Sequence, residues 1–215
     1  MKSYLIIPMG GAGKRFVNMG YKTYKVFLPV GKKVTIFENI VSNFKGMDLE
    51  VLILANFQLL GKKYNKFLKK KNFHLVNIKS HKKGPLYSLY LGREKIKEII
   101  KNNNNIFVSY SDINWKWDIK AVSKYIKKQK VTVFTHKQFH PHLEVNSKSD
   151  FCLIKKNQIK KISQKKTFSN NYKNDYLAIG CYFFKNLNYL NSCFKKKVTY
   201  LLVTKNFILF LLYVN

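Results

Sequence analysis

The chain has 215 residues, of which 46% are hydrophobic, and a formal net charge of +31. This length and apolar content predict one folded domain with a sizeable core and exclude wholesale disorder. The charge is almost entirely lysine, because Arg15 and Arg93 are the two arginines. Two explanations of the lysine excess are open. One is a genome-wide bias toward A/T-rich codons, which also explains the abundant Asn, Ile, Phe and Tyr, and the other is a polyanionic partner. In both cases the positive field attracts phosphorylated ligands.

The cysteines and the two ends of the chain bear on its location. Cys152, Cys181 and Cys193 are odd in number and lack metal-ligand spacing, which predicts reduced thiols in the cytoplasm. The N-terminal apolar run is too short for a signal peptide. Near the C-terminus, the clean apolar run of residues 207–214 is shorter than the roughly 20 residues of a spanning helix. We therefore expect no membrane partner, with a membrane-associated tail as the minor alternative.

Short apolar runs alternate with longer lysine-rich segments of helical spacing in the first part of the chain. The predicted strands are residues 4–7, 51–54, 73–78, 106–109 and 131–135. The predicted helices are residues 35–44, 58–71, 86–101 and 119–129, and Asp118 is the expected N-cap of the last one. This alternation predicts an α/β fold with a mostly parallel, doubly wound sheet.

The pattern changes after His142. Residues 151–154 and 159–162 read as the two strands of a β-hairpin, with Asn157 in its turn, and residues 175–184 read as a further strand. We find no internal repeat and no linker rich in Pro or Gly. The sequence therefore predicts a single α/β domain with a late β-hairpin insertion.

The first predicted strand leads directly into a glycine-rich loop, in the run YLIIPMGGAGKRF of residues 4–16. The loop consists of Gly10, Gly11, Ala12, Gly13, Lys14 and Arg15. Glycines let backbone N–H groups approach an anion, and the two cations would neutralise a polyphosphate. A plain tight turn and a nucleotide-cofactor loop are the alternatives. A P-loop needs Ser or Thr after Lys14, and the dinucleotide fingerprint needs a glycine where Phe16 stands.

The loop resembles the G-G-x-G-x-R motif of the sugar-phosphate nucleotidyltransferases. Downstream, the run YKVFLPVG is similar to the family's Pro-Lys segment, with Tyr24 in place of the proline and Lys25 matching the lysine. The resemblance implies a Rossmann-like, three-layer α/β/α, GT-A-like fold with a mixed, mostly parallel sheet. It also implies that the glycine-rich loop binds the triphosphate of an NTP and that Arg15 and Lys25 act at the reacting phosphates.

Two further matches concern the base and a metal. The segment KGPLYS resembles the family's base-recognition segment, which implies nucleotide contacts at Gly84 and Pro85. Asp112 follows the predicted strand 106–109, and a carboxylate in that place is a natural Mg²⁺ ligand. The family has its metal-binding aspartate there, so the resemblance implies Mg²⁺ as cofactor and a catalytic role for Asp112.

The resemblance continues into the second half of the chain. Lys165 matches a lysine that holds the sugar phosphate, although Gln164 replaces the glutamate before it. Asp175 stands where the family has a sugar-binding glutamate, and Gly180 matches its glycine. The run FHPH of residues 139–142 is similar to a subgroup associated with capsule and surface sugars. A zinc site built on His136, His140 and His142 is a weaker alternative, because Pro141 argues against a helix there.

These matches imply an enzyme that converts an NTP and a sugar 1-phosphate into an NDP-sugar and pyrophosphate. Within the single domain, residues 1–135 would bind the NTP, residues 136–190 the sugar phosphate, and residues 191–215 form an atypical end. No acidic residue follows Asn191, so the family's second metal-binding aspartate is not found; either the end is truncated or shifted, or a partner supplies it. An inactive nucleotide- or sugar-binding homologue and a lysine-rich nucleic-acid-binding protein are the competing functions, and homo-oligomerisation is left open.

Overall fold

A computed structural model describes residues 2–11, 13, 16, 18–31, 34–70, 73–113, 115–137, 150–164, 166–169 and 171–194. The strands are β1 (Ser3–Met9), β2 (Pro29–Val30), β3 (Val34–Thr35), β4 (Leu49–Ala55), β5 (His74–Asn77), β6 (Asn105–Ser109), β7 (Val131–His136), β8 (Asp150–Lys155), β9 (Gln158–Gln164) and β10 (Tyr176–Phe184). The helices are α1 (Ile36–Ser42), α2 (Phe57–Lys70), α3 (Pro85–Ile99), α4 (Ile119–Ile126) and α5, which is helical over residues 187–194. Short 3₁₀ helices lie at Lys25–Phe27 and Tyr172–Asn174.

The main sheet has the order β5-β4-β1-β6-β10-β8-β9. Strands β5, β4, β1 and β6 run parallel to one another, and β10 is antiparallel to β6. Strand β7 pairs with β10 as well, and the β8–β9 hairpin extends the sheet from the start of β10. The prediction of a mixed, mostly parallel sheet with a late hairpin is confirmed.

The core lies on both faces of β1. Tyr4 and Ile6 pack in one apolar cluster with buried residues of α3 and α5, whereas Leu5 and Ile7 pack in the other with α1, α2 and the first 3₁₀ helix. A strand that is covered on both faces reads as a continuous apolar run, which is why residues 4–7 could be recognised. Helices on both sides of the sheet give the expected three-layer α/β/α architecture.

Local signals set the ends of several elements. The Asp118 carboxylate accepts hydrogen bonds from the backbone N–H groups of Lys120 and Ala121 at 2.9 and 3.1 Å, which confirms it as the N-cap of α4. The turn of the β8–β9 hairpin places Lys156 and Asn157 at positive φ, as a tight two-residue turn requires. None of the helices in the described ranges is long and apolar enough to cross a membrane.

Helix α5 was not predicted. Leu187, Leu190 and Phe194 follow helical spacing and are buried in the cluster that α3 covers. The segment is short, and polar Asn and Ser residues interrupt its apolar positions, so its periodicity is weak. The remainder of the predicted atypical end, residues 195–215, lies outside the described residues.

Candidate active site

The loops that follow β1 and β6 meet at one edge of the sheet. These strands are adjacent and parallel, so their carboxyl ends lie side by side, which is where open α/β sheets bind ligands. A cavity of about 600 Å³ opens there. One wall is the glycine segment, by which we mean Met9, Gly10, Gly11 and Gly13 at the end of β1 and after it. The other walls are Tyr24 and Lys25, five residues of the stretch 81–88 around the start of α3, and residues 110–112 after β6.

Gly10 lies where the loop after β1 approaches α3. A β-carbon at this position would lie 2.6 Å from both His81 Nε2 and Ser88 Oγ, so any other residue would push the two segments apart. The backbone N–H of His81 donates to the Gly10 carbonyl at 3.2 Å and ties the segments together. Gly13, further along the loop, has a φ of +60°, a conformation that glycine adopts without strain.

Lys25 and Asp112 both line the cavity and contact each other. Lys25 Nζ lies 2.5 Å from Asp112 Oδ2, although the residues are 87 positions apart in sequence. Their side chains are 29% and 39% exposed, so ligands can reach both groups. Lys25 Nζ also lies 5.1 Å from the centre of the Phe16 ring. The structure thus brings together two residues that the sequence pointed to separately.

The surroundings of Asp112 decide what kind of metal site it fits. Across the residues that the structure describes, no group of three or more His, Cys, Asp or Glu side chains could hold a metal ion. Mg²⁺, however, is commonly held by one or two carboxylates together with substrate phosphates rather than by an all-protein cage. One accessible carboxylate beside a cavity that can receive substrate phosphates fits a metal of that shared kind.

The start of α3 forms the opposite wall. Gly84, with φ +78°, is the N-cap residue and has no side chain to satisfy the first N–H groups, and Pro85 occupies the first turn. Uncapped N–H groups at a helix start are free to bind a ligand's acceptors. The predicted nucleotide-binding residues Gly84 and Pro85 therefore line the same cavity as Gly10, Gly11 and Gly13.

No motif in the sequence pointed to His81 and Ser88, which also line the cavity. The Lys83 backbone N–H donates to His81 Nδ1 at 3.2 Å, and His81 Nε2 lies 2.8 Å from Ser88 Oγ. Since Nδ1 accepts, the neutral ring carries its proton on Nε2 and donates it to the serine hydroxyl. Burial, and to a smaller extent the charge of Lys83, lower the pKa of His81. The only signal in the sequence was a histidine three residues before the Gly-Pro pair.

Asp175 and Gly180 are not among the described residues that line the cavity. Asp175 is 8% exposed, and one carboxylate oxygen accepts the backbone N–H groups of Phe168 and Ser169 at 2.7 and 3.1 Å. Gly180 has a φ of +68°, and a β-carbon there would lie 2.7 Å from the ring of Tyr110, a cavity-lining residue. Their predicted contacts with a sugar phosphate stay predictions.

Several predicted residues lie outside the described part of the chain. They are Ala12, Lys14, Arg15, Lys165, His140 and His142. The phosphate-binding roles of the three loop residues and of Lys165, and the weaker zinc alternative, therefore stay predictions. His136 is described and is the last residue of β7.

Solved structures share this fold at low sequence identity. A nucleoside-diphosphate-sugar pyrophosphorylase from Vibrio cholerae matches with a TM-score of 0.69 and 17% identity, over 90% of this chain and 78% of that one. A candidate glucose-1-phosphate thymidylyltransferase from Bacillus anthracis, solved with sucrose, gives 0.68 and 19%, over 92% and 76%. The inositol-1-phosphate CTP transferase of T. maritima gives 0.62 and 17%, over 89% and 73%.

Sequence comparison gives the family. No curated protein matches the chain. The profile of the nucleotidyl transferase family, by contrast, matches residues 4–199, which include the described strands and helices apart from Ser3 at the start of β1, and include Lys25 and Asp112. The chain therefore belongs to the nucleotidyl transferase family.

Proposed function

We propose that this protein transfers the nucleotidyl group of an NTP to a sugar 1-phosphate, releasing pyrophosphate and forming an NDP-sugar. The observation that carries the proposal is the close approach of Lys25 to Asp112 at a cavity walled by the glycine segment, in a chain of the nucleotidyl transferase family. The three structural neighbours are named for reactions or products of this kind, which supports a sugar or polyol phosphate as the acceptor.

The cavity divides naturally between the parts of an NTP. The glycine segment, with Lys14, Arg15 and Lys25, provides amides and cations for the triphosphate. The start of α3, around Gly84 and Pro85, provides backbone groups for the base. The identity of the base would then depend on the backbone contacts that this wall offers near Gly84.

The chemistry needs no covalent enzyme intermediate. A phosphate oxygen of the sugar 1-phosphate forms a bond to the α-phosphorus of the NTP, and the bond from that phosphorus to the pyrophosphate oxygen breaks. The protein positions the two substrates and stabilises negative charge, and the Lys25 ammonium lies where it can do the latter. Asp112 would hold Mg²⁺, which supplies positive charge at the reacting phosphates when it is bound.

The free protein holds its two charged groups in a contact that substrates must replace. Lys25 would leave Asp112 for a phosphate oxygen, and the freed carboxylate would become available to a cation. An ion pair that is partly exposed is worth only about 0–1 kcal/mol, so exchanging it for substrate contacts costs little.

The sugar-phosphate side of the proposal includes Lys165, Asp175 and Gly180. For Lys165 it rests on the resemblance alone. For the other two, the contacts described above support an indirect role, since Asp175 holds the backbone of residues 168–169 and Gly180 makes room for Tyr110. Synthesis of a surface polysaccharide, which rests on the sequence resemblance, and a cytoplasmic location, which rests on the cysteine pattern, complete the proposal.

A pyrophosphate-release assay tests this function. Five nucleotides (ATP, GTP, CTP, UTP and dTTP) would be combined with a panel of sugar 1-phosphates and Mg²⁺. We expect release with at least one pair, and we expect Asp112→Asn to reduce it at least about 100-fold. Asp48→Asn, which alters an exposed carboxylate before β4, is the matched control.

Two outcomes would contradict the proposal. Full activity of Asp112→Asn would remove the carboxylate from the mechanism. Tight binding of an NTP with no pyrophosphate release for any acceptor would instead favour the inactive nucleotide-binding homologue.

A further inference from the structure

We propose that Tyr24 is a positioning residue for the triphosphate, because its hydroxyl fixes the backbone of the glycine segment. The proline that the resemblance expects at this position has no hydroxyl and could not make these contacts. The inference rests on the proposed function, because it concerns how the same cavity receives an NTP. It is carried by the contacts of the hydroxyl on one side of the glycine segment and by those of His81 on the other.

The Tyr24 hydroxyl meets two carbonyl groups of the segment. It donates to the Met9 carbonyl at 2.8 Å and contacts the Gly11 carbonyl as well. A hydroxyl carries one hydrogen, so the two oxygens share it. On the opposite side, the His81 backbone N–H donates to the carbonyl of Gly10, the residue between them. Three successive carbonyls of the segment are therefore engaged, alternately from the two sides.

These contacts orient the peptide groups that would face a phosphate. All peptide bonds of the described chain are trans, so each N–H points opposite to the carbonyl that precedes it. Fixing the Met9 and Gly10 carbonyls thus fixes the N–H groups of Gly10 and Gly11. Glycine samples more backbone conformations than any other residue. Without the contacts from Tyr24 and His81, the ligand itself would have to order the segment, and this would lower its affinity.

Tyr24 is itself held in place. Its ring packs against the apolar cluster around Phe27 and Phe37, and its carbonyl accepts the Phe27 backbone N–H at 2.8 Å in the 3₁₀ helix. Burial raises the pKa of Tyr24 to about 12, so the hydroxyl keeps its proton and stays a donor at neutral pH. Because Lys25 is the next residue, the same anchor joins the glycine segment to the cation that faces Asp112.

The backbone of Tyr24 does not require tyrosine. Its φ of −58° and ψ of 131° lie in the range that proline adopts. A proline would therefore keep the course of the chain into Lys25 but would lack the hydroxyl. The tyrosine consequently adds an interaction rather than preserving a backbone shape.

Tyr24→Phe removes the hydroxyl and keeps the ring. Binding of ATP, GTP, CTP, UTP and dTTP would be measured by calorimetry in the presence of EDTA. Because EDTA removes divalent metal ions, the measured affinity contains no contribution from a metal on Asp112. For the NTP that binds wild type most tightly, we expect about tenfold weaker binding, the effect of losing one hydrogen bond. Binding of the corresponding nucleoside, followed by ligand-observed NMR, should be unchanged, because the contacts of Tyr24 act on the segment that would bind the phosphates.

Two more variants complete the test. Tyr24→Pro should show the same loss of NTP affinity as Tyr24→Phe, together with a lower Tm because the ring is lost. Tyr125→Phe, on the exposed side of α4, is the control and should bind NTP and nucleoside as wild type does.

The outcomes separate this inference from the proposed function. Equal weakening of NTP and nucleoside, or no weakening of either in Tyr24→Phe, would overturn the role of Tyr24 while leaving the nucleotidyl transfer intact. If wild type binds none of the five NTPs, the proposed function itself fails and this inference falls with it.

Discussion

Two aspartates, Asp112 at the carboxyl edge of β6 and Asp175 at the start of β10, have opposite surroundings. Asp112 is partly exposed and contacts the side-chain cation of Lys25, which a ligand can displace. Asp175 is buried and accepts two backbone N–H groups that belong to the fold. Both were predicted as site residues from family positions. A carboxylate is thus available for chemistry when a ligand can replace its partners. A match to a family position does not by itself show this.

The largest effect should come from breaking the exchangeable pair. Lys25→Met removes a cation that would stabilise the reacting phosphates, so we expect turnover to fall at least about 100-fold. The Tm should hardly change, since a partly exposed ion pair contributes about 0–1 kcal/mol. Without the competing lysine ammonium, the Asp112 carboxylate should bind Mn²⁺ more tightly in the absence of nucleotide, which electron paramagnetic resonance measures.

Lys22→Met is the control for the loss of one positive charge in the same loop, where Lys22 is exposed. It should leave turnover and Mn²⁺ binding as they are in wild type. A drop of several kcal/mol in the stability of Lys25→Met would mean that the Lys25–Asp112 pair is structural, which would erase the contrast with Asp175.

An intermediate effect is expected from Asp175→Asn. The substitution replaces a charged acceptor of two backbone N–H groups by a neutral side chain of nearly the same shape, which should cost about 2 kcal/mol in the free energy of unfolding. Urea denaturation measures this, with Asp48→Asn as the exposed control. Were stability to be kept while KM for the sugar 1-phosphate rose sharply, Asp175 would be a substrate-binding residue, as the sequence resemblance implies.

The sequence was sufficient for features that depend on local pattern. Strands β1, β4 and β6, the β8–β9 turn and the Asp118 cap follow from apolar runs and from residue types near the element ends. Lys25 and Asp112 were found through family resemblance, but their 2.5 Å contact joins segments 87 positions apart and no local pattern contains it.

Tyr24, His81 and Ser88 show why part of the site could not be predicted. Each acts through contacts between distant segments: Tyr24 on the loop after β1, and His81 between that loop and α3. In the sequence, Tyr24 was only a departure from the expected proline. Gly10 could be recognised as a loop glycine, but the reason that glycine is needed there, the close approach of His81 and Ser88, exists only in the folded chain.

The smallest expected effect is a change in the pH dependence of Tm, and it concerns His81 beside the start of α3. Like Asp175, His81 contacts groups that belong to the fold and that a ligand would not replace. His81 must be neutral to accept the Lys83 N–H, and its pKa in the folded state is lowered from 6.5. Its contribution to stability is therefore complete above about pH 6.5, where the unfolded chain is also neutral, and is lost as the pH falls toward the folded pKa. His81→Gln, which cannot be protonated, should have a flatter dependence of Tm on pH between 7.5 and 5 than wild type (roughly the range around an ordinary histidine pKa). The substitution leaves every other titratable group of the chain in place, so the difference between the two curves reports on the histidine. Identical curves would show that protonation of His81 in the folded protein costs no stability. The contact between His81 and the Lys83 N–H would then be as easily exchanged as the Lys25–Asp112 pair.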